Sequence, residues 1–230
     1  GEAQEDEMVG YLPHCTFNLN PRAASIDTPL HAYVPYRHVD HMHPDAVIAI
    51  AATKNSRELT RRIYGEEIGW LPWRRPGFQL GLDLSRFAAE NPDAKGVVLE
   101  SHGLFTWGHT ARECYETTLR IINRAIEWFE SETAGKTVFG GEKTAAAEPA
   151  TRRAVAARLM PEIRALIGGE ERKVGHFDDS AAVLQFVGSN DLDRLAALGT
   201  SCPDHFLRTK IRPLVLPFDP ATGDVDALLA

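Results

Sequence analysis

Two histidines with one residue between them, His41 and His43, lie in a segment that we predict to be a strand, 38–43. Alternate side chains of a strand point to the same face, so both imidazoles can reach one metal ion. A third histidine, His102, follows the apolar run 96–99 and precedes Gly103, which predicts a sharp turn at the end of a second strand. Three neutral imidazoles leave one position of a tetrahedral zinc ion open, as a catalytic site requires.

Other residues near these histidines, and the pair itself, also have simpler interpretations. An HxH pair alone is more often a coincidence than a zinc site, and Asp27 could cap a turn because its neighbours are turn formers. His31 and His38 suit packing or hydrogen bonding better than metal ligation. The segment 202–205 combines a thiol, a carboxylate and an imidazole, but its spacing does not by itself make a nucleophilic set.

Composition excludes several classes of protein. The 230 residues are 43% hydrophobic, enough for one globular domain or one and a half. Lys and Arg number 25 against 32 Asp and Glu, without a basic cluster, so we expect no nucleic-acid partner. The longest apolar run, 46–52, is too short for a membrane span and no signal peptide opens the chain, so we expect a cytoplasmic protein with no membrane partner. The three cysteines form no CxxC motif, which predicts neither a disulfide framework nor a thiolate metal site.

The elements that must position the histidines follow from hydrophobic periodicity and from breakers of secondary structure. Thr110 and Glu113 have the spacing of a capping box, which predicts that a long helix begins at Ala111. Residues 11–21 are typical of a loop that leads into a short strand. Strands are predicted at 38–43, 68–73, 97–100, 104–108, 174–177 and 211–216. Helices are predicted at 46–53, 56–64, 79–90, 111–130 and 154–167.

A stretch rich in glycine and alanine, 135–150, divides the chain and is typical of a linker. We therefore expect a first domain at 1–134, and at 151–230 either a C-terminal extension or the start of a second unit. No GxGxxG motif follows any predicted strand, so no NAD site is expected in this chain.

Four sequence segments occur in an order that is far more specific than any one of them. They are SIDTPLH, HVDHMHPDA, SHGLFTWG and TARECYETTL. In this order the chain resembles the class II aldolase and adducin family from about Asn18 to Glu132. More narrowly, it is similar to the aldolase part of bifunctional rhamnulose-1-phosphate aldolase and lactaldehyde dehydrogenase proteins, and this likeness extends through PDHFLRTK to the end.

The resemblance implies roles for five residues. The zinc ligands of the family correspond to His41, His43 and His102, although another divalent cation could replace zinc. The acidic catalytic residue corresponds to Asp27, where many family members have the longer glutamate. Ser25 matches a position that contacts the substrate phosphate.

The resemblance also implies a fold and an activity. The expected fold is a three-layer α/β/α domain of the α/β class with a mainly antiparallel sheet, assembled as a homotetramer with sites at subunit interfaces. The family's glycine- and asparagine-rich phosphate-binding segment precedes the matched region, so we expect the domain at 1–134 to lack its N-terminal part.

The implied enzyme is an aldehyde-lyase. It would cleave a ketose 1-phosphate, most readily L-rhamnulose 1-phosphate, into dihydroxyacetone phosphate and L-lactaldehyde, and could be a fragment of a bifunctional aldolase and dehydrogenase. Two alternatives stay open: epimerisation or dehydration of a sugar phosphate at the same metal site, and a non-enzymatic adducin-like assembly module.

Overall fold

The computed structural model describes residues 4–17, 24–218 and 225–229, which fall into two compact units. The first unit comprises the described residues of Gly1–Ala134 together with Thr200–Lys210, and the second those of Gly135–Gly199 and Ile211–Ala230. In the first unit the strands are β1 (His38–Met42), β2 (Ile68–Leu71), β3 (Gly96–Leu99) and β4 (Gly103–Gly108). Its helices are α1 (Glu5–Tyr11), α2 (Thr28–Tyr33), α3 (Asp45–Ala51), α4 (Ser56–Tyr64), α5 (Phe78–Glu90), α6 (Ala111–Thr133) and, from the later segment, α10 (Pro203–Arg208).

The four strands form one sheet in the order β1-β4-β3-β2. β4 runs antiparallel to β1 and to β3, whereas β2 and β3 are parallel. The expectation of a mainly antiparallel sheet was therefore wrong, because the sheet is mixed. The physical reason is the connection from β2 to β3: it includes helix α5, and such a crossover is what lets two consecutive strands run in the same direction.

Helices cover both faces of the sheet. Val97 packs in a buried cluster with Leu84 of α5, and its neighbour Val98 packs in a second cluster with Ile50 of α3 and Ile121 of α6. Adjacent strand residues point to opposite faces, so each cluster lies on its own side of the sheet. The first unit is thus an α/β domain with three layers. The cluster that contains Val97 also packs helix α2 against β1 and β4.

The turn between β3 and β4 places His102, and its backbone differs from the expectation. The residue in the left-handed region is Ser101, with φ of 50°, whereas Gly103 is already the first residue of β4. The sharp turn predicted at Gly103 therefore lies two residues earlier. Gly103 is needed for a different reason, which is the close approach of the His43 ring to its backbone.

Capping fixes the start of the longest helix. The Thr110 side chain accepts a hydrogen bond from the Glu113 backbone N–H, as the capping-box spacing predicted. The Glu113 carboxylate accepts a hydrogen bond from the His109 backbone N–H at 2.8 Å. Both bonds hold α6 directly after β4.

Three predicted features of the chain differ from the structure. Residues 11–15, expected in a loop, belong to the end of α1 and to a 3₁₀ turn, Leu12–Cys15. Residues 18–21 of the same expectation lie outside the described residues. The strands predicted at 174–177 and 211–216 are absent from the described structure. Val174 and Leu214 are 98% and 85% exposed, and without a partner strand to pair with, apolar composition alone does not form a strand.

The second unit contains α7 (Pro149–Gly168), α8 (Ala181–Val187), α9 (Leu192–Leu198) and α11 (Val225–Leu229). Within the stretch that we predicted as a linker, Glu142 forms an isolated antiparallel bridge with Ser189. Across the described parts of both units, no helix combines the length and the apolar composition that crossing a membrane requires.

Candidate metal centre

The sheet brings the three predicted ligands together. His41 lies on β1 opposite Phe105 of β4, and His43 follows directly after the end of β1. His102 lies in the turn that leads into β4, so it meets the end of β1 across the sheet. The ring centroids are 4.6 Å apart for His41 and His43, 5.0 Å for His41 and His102, and 5.3 Å for His43 and His102. Met42, between the pair, is 46% exposed, in keeping with strand alternation.

The ring nitrogens of this cluster fit a metal ion. One nitrogen from each ring lies within 4.8 Å of the other two. Nε2 of His41, Nε2 of His43 and Nδ1 of His102 are all buried without a hydrogen-bond partner among the described residues. Buried polar atoms are nearly always satisfied, so three such nitrogens together indicate a ligand that would satisfy them.

A backbone carbonyl sets the tautomer of His41. Its Nδ1 lies 3.1 Å from the Leu104 carbonyl oxygen, which can only accept a hydrogen bond, so Nδ1 carries the proton and donates it. Nε2 is then left with its lone pair, which is the form that binds a metal. The His41 ring also stacks on Phe105, with centroids 4.0 Å apart and planes 12° apart, and this packing holds its orientation.

Burial keeps two of the rings neutral. It lowers the pKa of His41 from 6.5 to about 3, and the neighbouring His102 lowers it further. Burial likewise lowers the pKa of His102 to about 4, with His43 as the second cause. Metal ligation requires neutral imidazole, so the protein holds these two residues in the binding form at neutral pH.

The structure places Asp27 beside this cluster. Asp27 precedes helix α2, and its Oδ2 lies 3.9 Å from Nε2 of His41. It occupies the N-cap position but its carboxylate makes no capping bond, and Oδ1 is buried without a partner in the described structure. Burial raises the pKa of Asp27, against smaller lowering effects of His43, His31 and the Ser25 hydroxyl.

Ser25 is exposed and lies close to Asp27. Its Oγ accepts a hydrogen bond from the Asp27 backbone N–H at 3.1 Å and donates to Asp27 Oδ2 at 3.5 Å. The hydroxyl thus orders the segment that leads into α2.

Three further residues lie around the cluster, and the sequence interpretation assigned none of them to it. His31 lies one helical turn after Asp27, with its ring centroid 6.3 Å from that of His41. Asp204 of α10 places Oδ2 3.8 Å from Nδ1 of His43. The spacing of Asp27 and His31, four apart, was a usable signal for His31. Phe105 and Asp204 gave no comparable local signal, because only the tertiary fold brings them to the site.

The sequence matches two family models. Residues 4–128 match the class II aldolase and adducin N-terminal domain, more than half of the chain. The chain therefore belongs to the class II aldolase and adducin family. Residues 154–230 match the second domain of class II aldolases. Class II aldolases are typically metal-dependent, and the three-histidine cluster of this chain is a suitable site.

A curated relative gives the chain a wider context. An uncharacterized oxidoreductase, YuxG of Bacillus subtilis (strain 168), is 39% identical over 224 residues, which are 97% of this chain and 32% of the relative. The chain therefore spans about a third of that relative's length.

Two solved structures match shorter parts of this chain. The N-terminal class II aldolase domain of a conserved Thermoplasma acidophilum protein is 33% identical, with a TM-score of 0.49 and coverage of 54% of this chain and 57% of that one. The L-fuculose-1-phosphate aldolase of Thermus thermophilus is 20% identical, with a TM-score of 0.38 and coverage of 50% and 65%.

Proposed function

We propose that this chain is the aldolase part of a metal-dependent aldehyde-lyase that cleaves a ketose 1-phosphate. The favoured substrate is L-rhamnulose 1-phosphate, which yields dihydroxyacetone phosphate and L-lactaldehyde. The observation that carries the proposal is the convergence of three buried, unpartnered histidine nitrogens with a carboxylate whose free oxygen is also buried. The family acts on phosphorylated sugars, which supports this class of substrate.

His41, His43 and His102 would hold the cation, with zinc the favoured ion because three imidazoles and one open position suit it. When bound, the cation supplies a Lewis acid that stabilises negative charge on the substrate oxygens. The neutral rings of His41 and His102 can serve as ligands without first losing a proton at neutral pH.

Asp27 would move the proton, as a base in one direction of the reaction and as an acid in the other. Burial raises its pKa toward the range in which a carboxyl exchanges protons at neutral pH, whereas a bound cation would lower that pKa. Aspartate is one methylene shorter than the glutamate of many relatives. Its position within 3.9 Å of His41 supports sufficient reach.

Ser25 is proposed to bind the substrate phosphate. Its hydroxyl is exposed and is the right kind of donor, and its present bond to Asp27 Oδ2 is long enough, at 3.5 Å, to be exchanged easily. Such an exchange would link phosphate binding to the position of the catalytic carboxylate.

The parent protein is proposed to be a cytoplasmic homotetramer that fuses this aldolase part to a dehydrogenase. The support for the fusion is the relative described as an oxidoreductase, of which this chain matches only 32%. The domain limits 1–134 and 151–230, with a linker at 135–150, remain part of the same proposal.

The test is an assay of the zinc-loaded chain with several ketose 1-phosphates, in which dihydroxyacetone phosphate and the aldehyde are both quantified. Asp27→Asn is expected to lower kcat by roughly 10²–10⁴-fold, the usual contribution of a general acid–base group, with zinc content unchanged. Asp93→Asn, in an exposed turn, is the matched control and should retain full activity.

Product analysis separates the alternatives. An altered sugar phosphate without carbon–carbon cleavage would establish the epimerase or dehydratase alternative instead. Zinc binding without turnover of any ketose 1-phosphate would count against the aldolase proposal when the protein tested includes the family's phosphate-binding segment, which we expect to precede the matched region.

A further inference from the structure

Asp204 contacts the metal centre from a distant part of the sequence. Its Oδ2 lies 3.8 Å from Nδ1 of His43, the nitrogen opposite to the unpartnered Nε2. Both residues belong to the same compact unit, although Asp204 comes from the later segment Thr200–Lys210.

One hydrogen bond and one buried neighbour hold Asp204 in place. Arg208, one turn later in α10, donates a hydrogen bond from Nε to Asp204 Oδ1 at 2.8 Å, which leaves Oδ2 directed at His43. Cys202, just before the helix, is buried and anchors the start of the segment.

The two histidines of the HxH pair therefore differ in what orients them. His41 has a backbone carbonyl at Nδ1, supplied by Leu104 of the neighbouring strand. His43 lies beyond the end of β1, and the polar group near its Nδ1 is the Asp204 carboxylate. Metal-binding histidines commonly donate their second ring N–H to such a group, which fixes the tautomer and raises the basicity of the ligating nitrogen.

We propose that Asp204 is a positioning residue for His43: its Oδ2 accepts a hydrogen bond from the Nδ1–H group and thereby presents Nε2 to the cation. The inference rests on the proposed metal centre and adds to it a residue of the region that matches the family's second domain. It also gives a function to the segment around Cys202 and His205, which is not a nucleophilic set in the proposed mechanism.

The experiment measures the zinc dissociation constant by competition with a chelator, together with the visible spectrum of the cobalt-substituted protein. Asp204→Ala is expected to raise the dissociation constant by about 10–100-fold, the usual effect of losing such a partner. Asp204→Asn keeps one oxygen, which can accept a hydrogen bond from Nδ1–H of His43 when the amide turns it away from Arg208, so it should recover part of this loss. Both variants lose the charge that pairs with Arg208, so a difference in zinc affinity between them reports a hydrogen bond kept by the amide and not the lost charge.

Asp191→Ala is the matched control. Asp191 pairs with Arg194 much as Asp204 pairs with Arg208, and their side chains are 31% and 34% exposed, but Asp191 lies in the second unit. The Asp191→Ala substitution should leave the zinc affinity unchanged. Thermal unfolding in EDTA should be similar for both Asp204 variants, since the proposed contact matters only when the metal is bound.

The outcomes are distinct. Parental zinc affinity in Asp204→Ala would overturn this inference alone. Equal weakening in the alanine and asparagine variants, with lower melting temperatures in EDTA, would also overturn it in favour of a purely structural role. A parent protein that binds no zinc would overturn both this inference and the proposed metal centre.

Discussion

The substitution Gly103→Ala should disable the metal centre without removing any candidate ligand. A Cβ at this position would lie 2.8 Å from the Met42 carbonyl oxygen, 3.1 Å from Nε2 of His43 and closer still to Cδ2 of that ring. Carbon atoms pack best at about 3.5–4.0 Å, so the His43 ring would have to retreat by about 1 Å. Metal–ligand distances tolerate about 0.2 Å, and the displaced ring would therefore no longer serve as a ligand.

We expect zinc affinity to fall by at least about 100-fold, because loss of an outer partner alone costs about 10–100-fold. Overpacking against Met42 should also cost about 1–3 kcal/mol of the free energy of unfolding. Chelator competition measures the first effect, and urea unfolding with EDTA measures the second. Gly10→Ala is the matched control, since a Cβ there meets nothing within 4 Å. A folded Gly103→Ala protein with parental zinc affinity would refute the reasoning.

Two further predictions concern stability. Without metal, the free energy of unfolding should fall as the pH drops below about 6.5 toward 4, because the pKa values of His41 and His102 are about 3 and 4 in the folded state and 6.5 when unfolded. The unfolded chain then binds more protons than the folded one; urea unfolding at several pH values in EDTA checks this, and a flat profile would contradict it. Leu84→Ala, at a fully buried position, should cost about 2–5 kcal/mol but leave zinc affinity intact, whereas Leu119→Ala, at a 43% exposed position, should change stability by less than about 0.5 kcal/mol.

Local patterns in the sequence predicted the main elements of the first unit well. The helix at Ser56–Tyr64 matches the prediction at both ends, and the capping bond at Thr110 is the one that the spacing indicated. These features depend on periodicity and on turn chemistry within a few residues, which are visible in one sequence. The HxH pair was accessible for the same reason, because strand alternation is a local property.

Features that depend on distant contacts were not accessible in this way. The parallel pairing of β2 and β3 depends on the path of the chain through α5, and the approach of Asp204 to His43 depends on tertiary packing. Helix α2 was missed although Asp27, Thr28 and Pro29 are typical of a helix start, because the same residues also favour turns. Two exposed apolar segments of the second unit, 174–177 and 211–216, were wrongly predicted to be strands. Their composition suits a strand, but the described chain offers them no partner strand.

The pairing of β1 with β4 also has a consequence for biogenesis. His41 and Leu104 are separated by 63 positions along the chain, and the cluster forms only when these two strands are joined. Closing a loop of that length is slow relative to local helix formation. Uptake of a cation should therefore be a late step that follows formation of the sheet, so a nascent polypeptide that ends before β4 would have no means of retaining the ion.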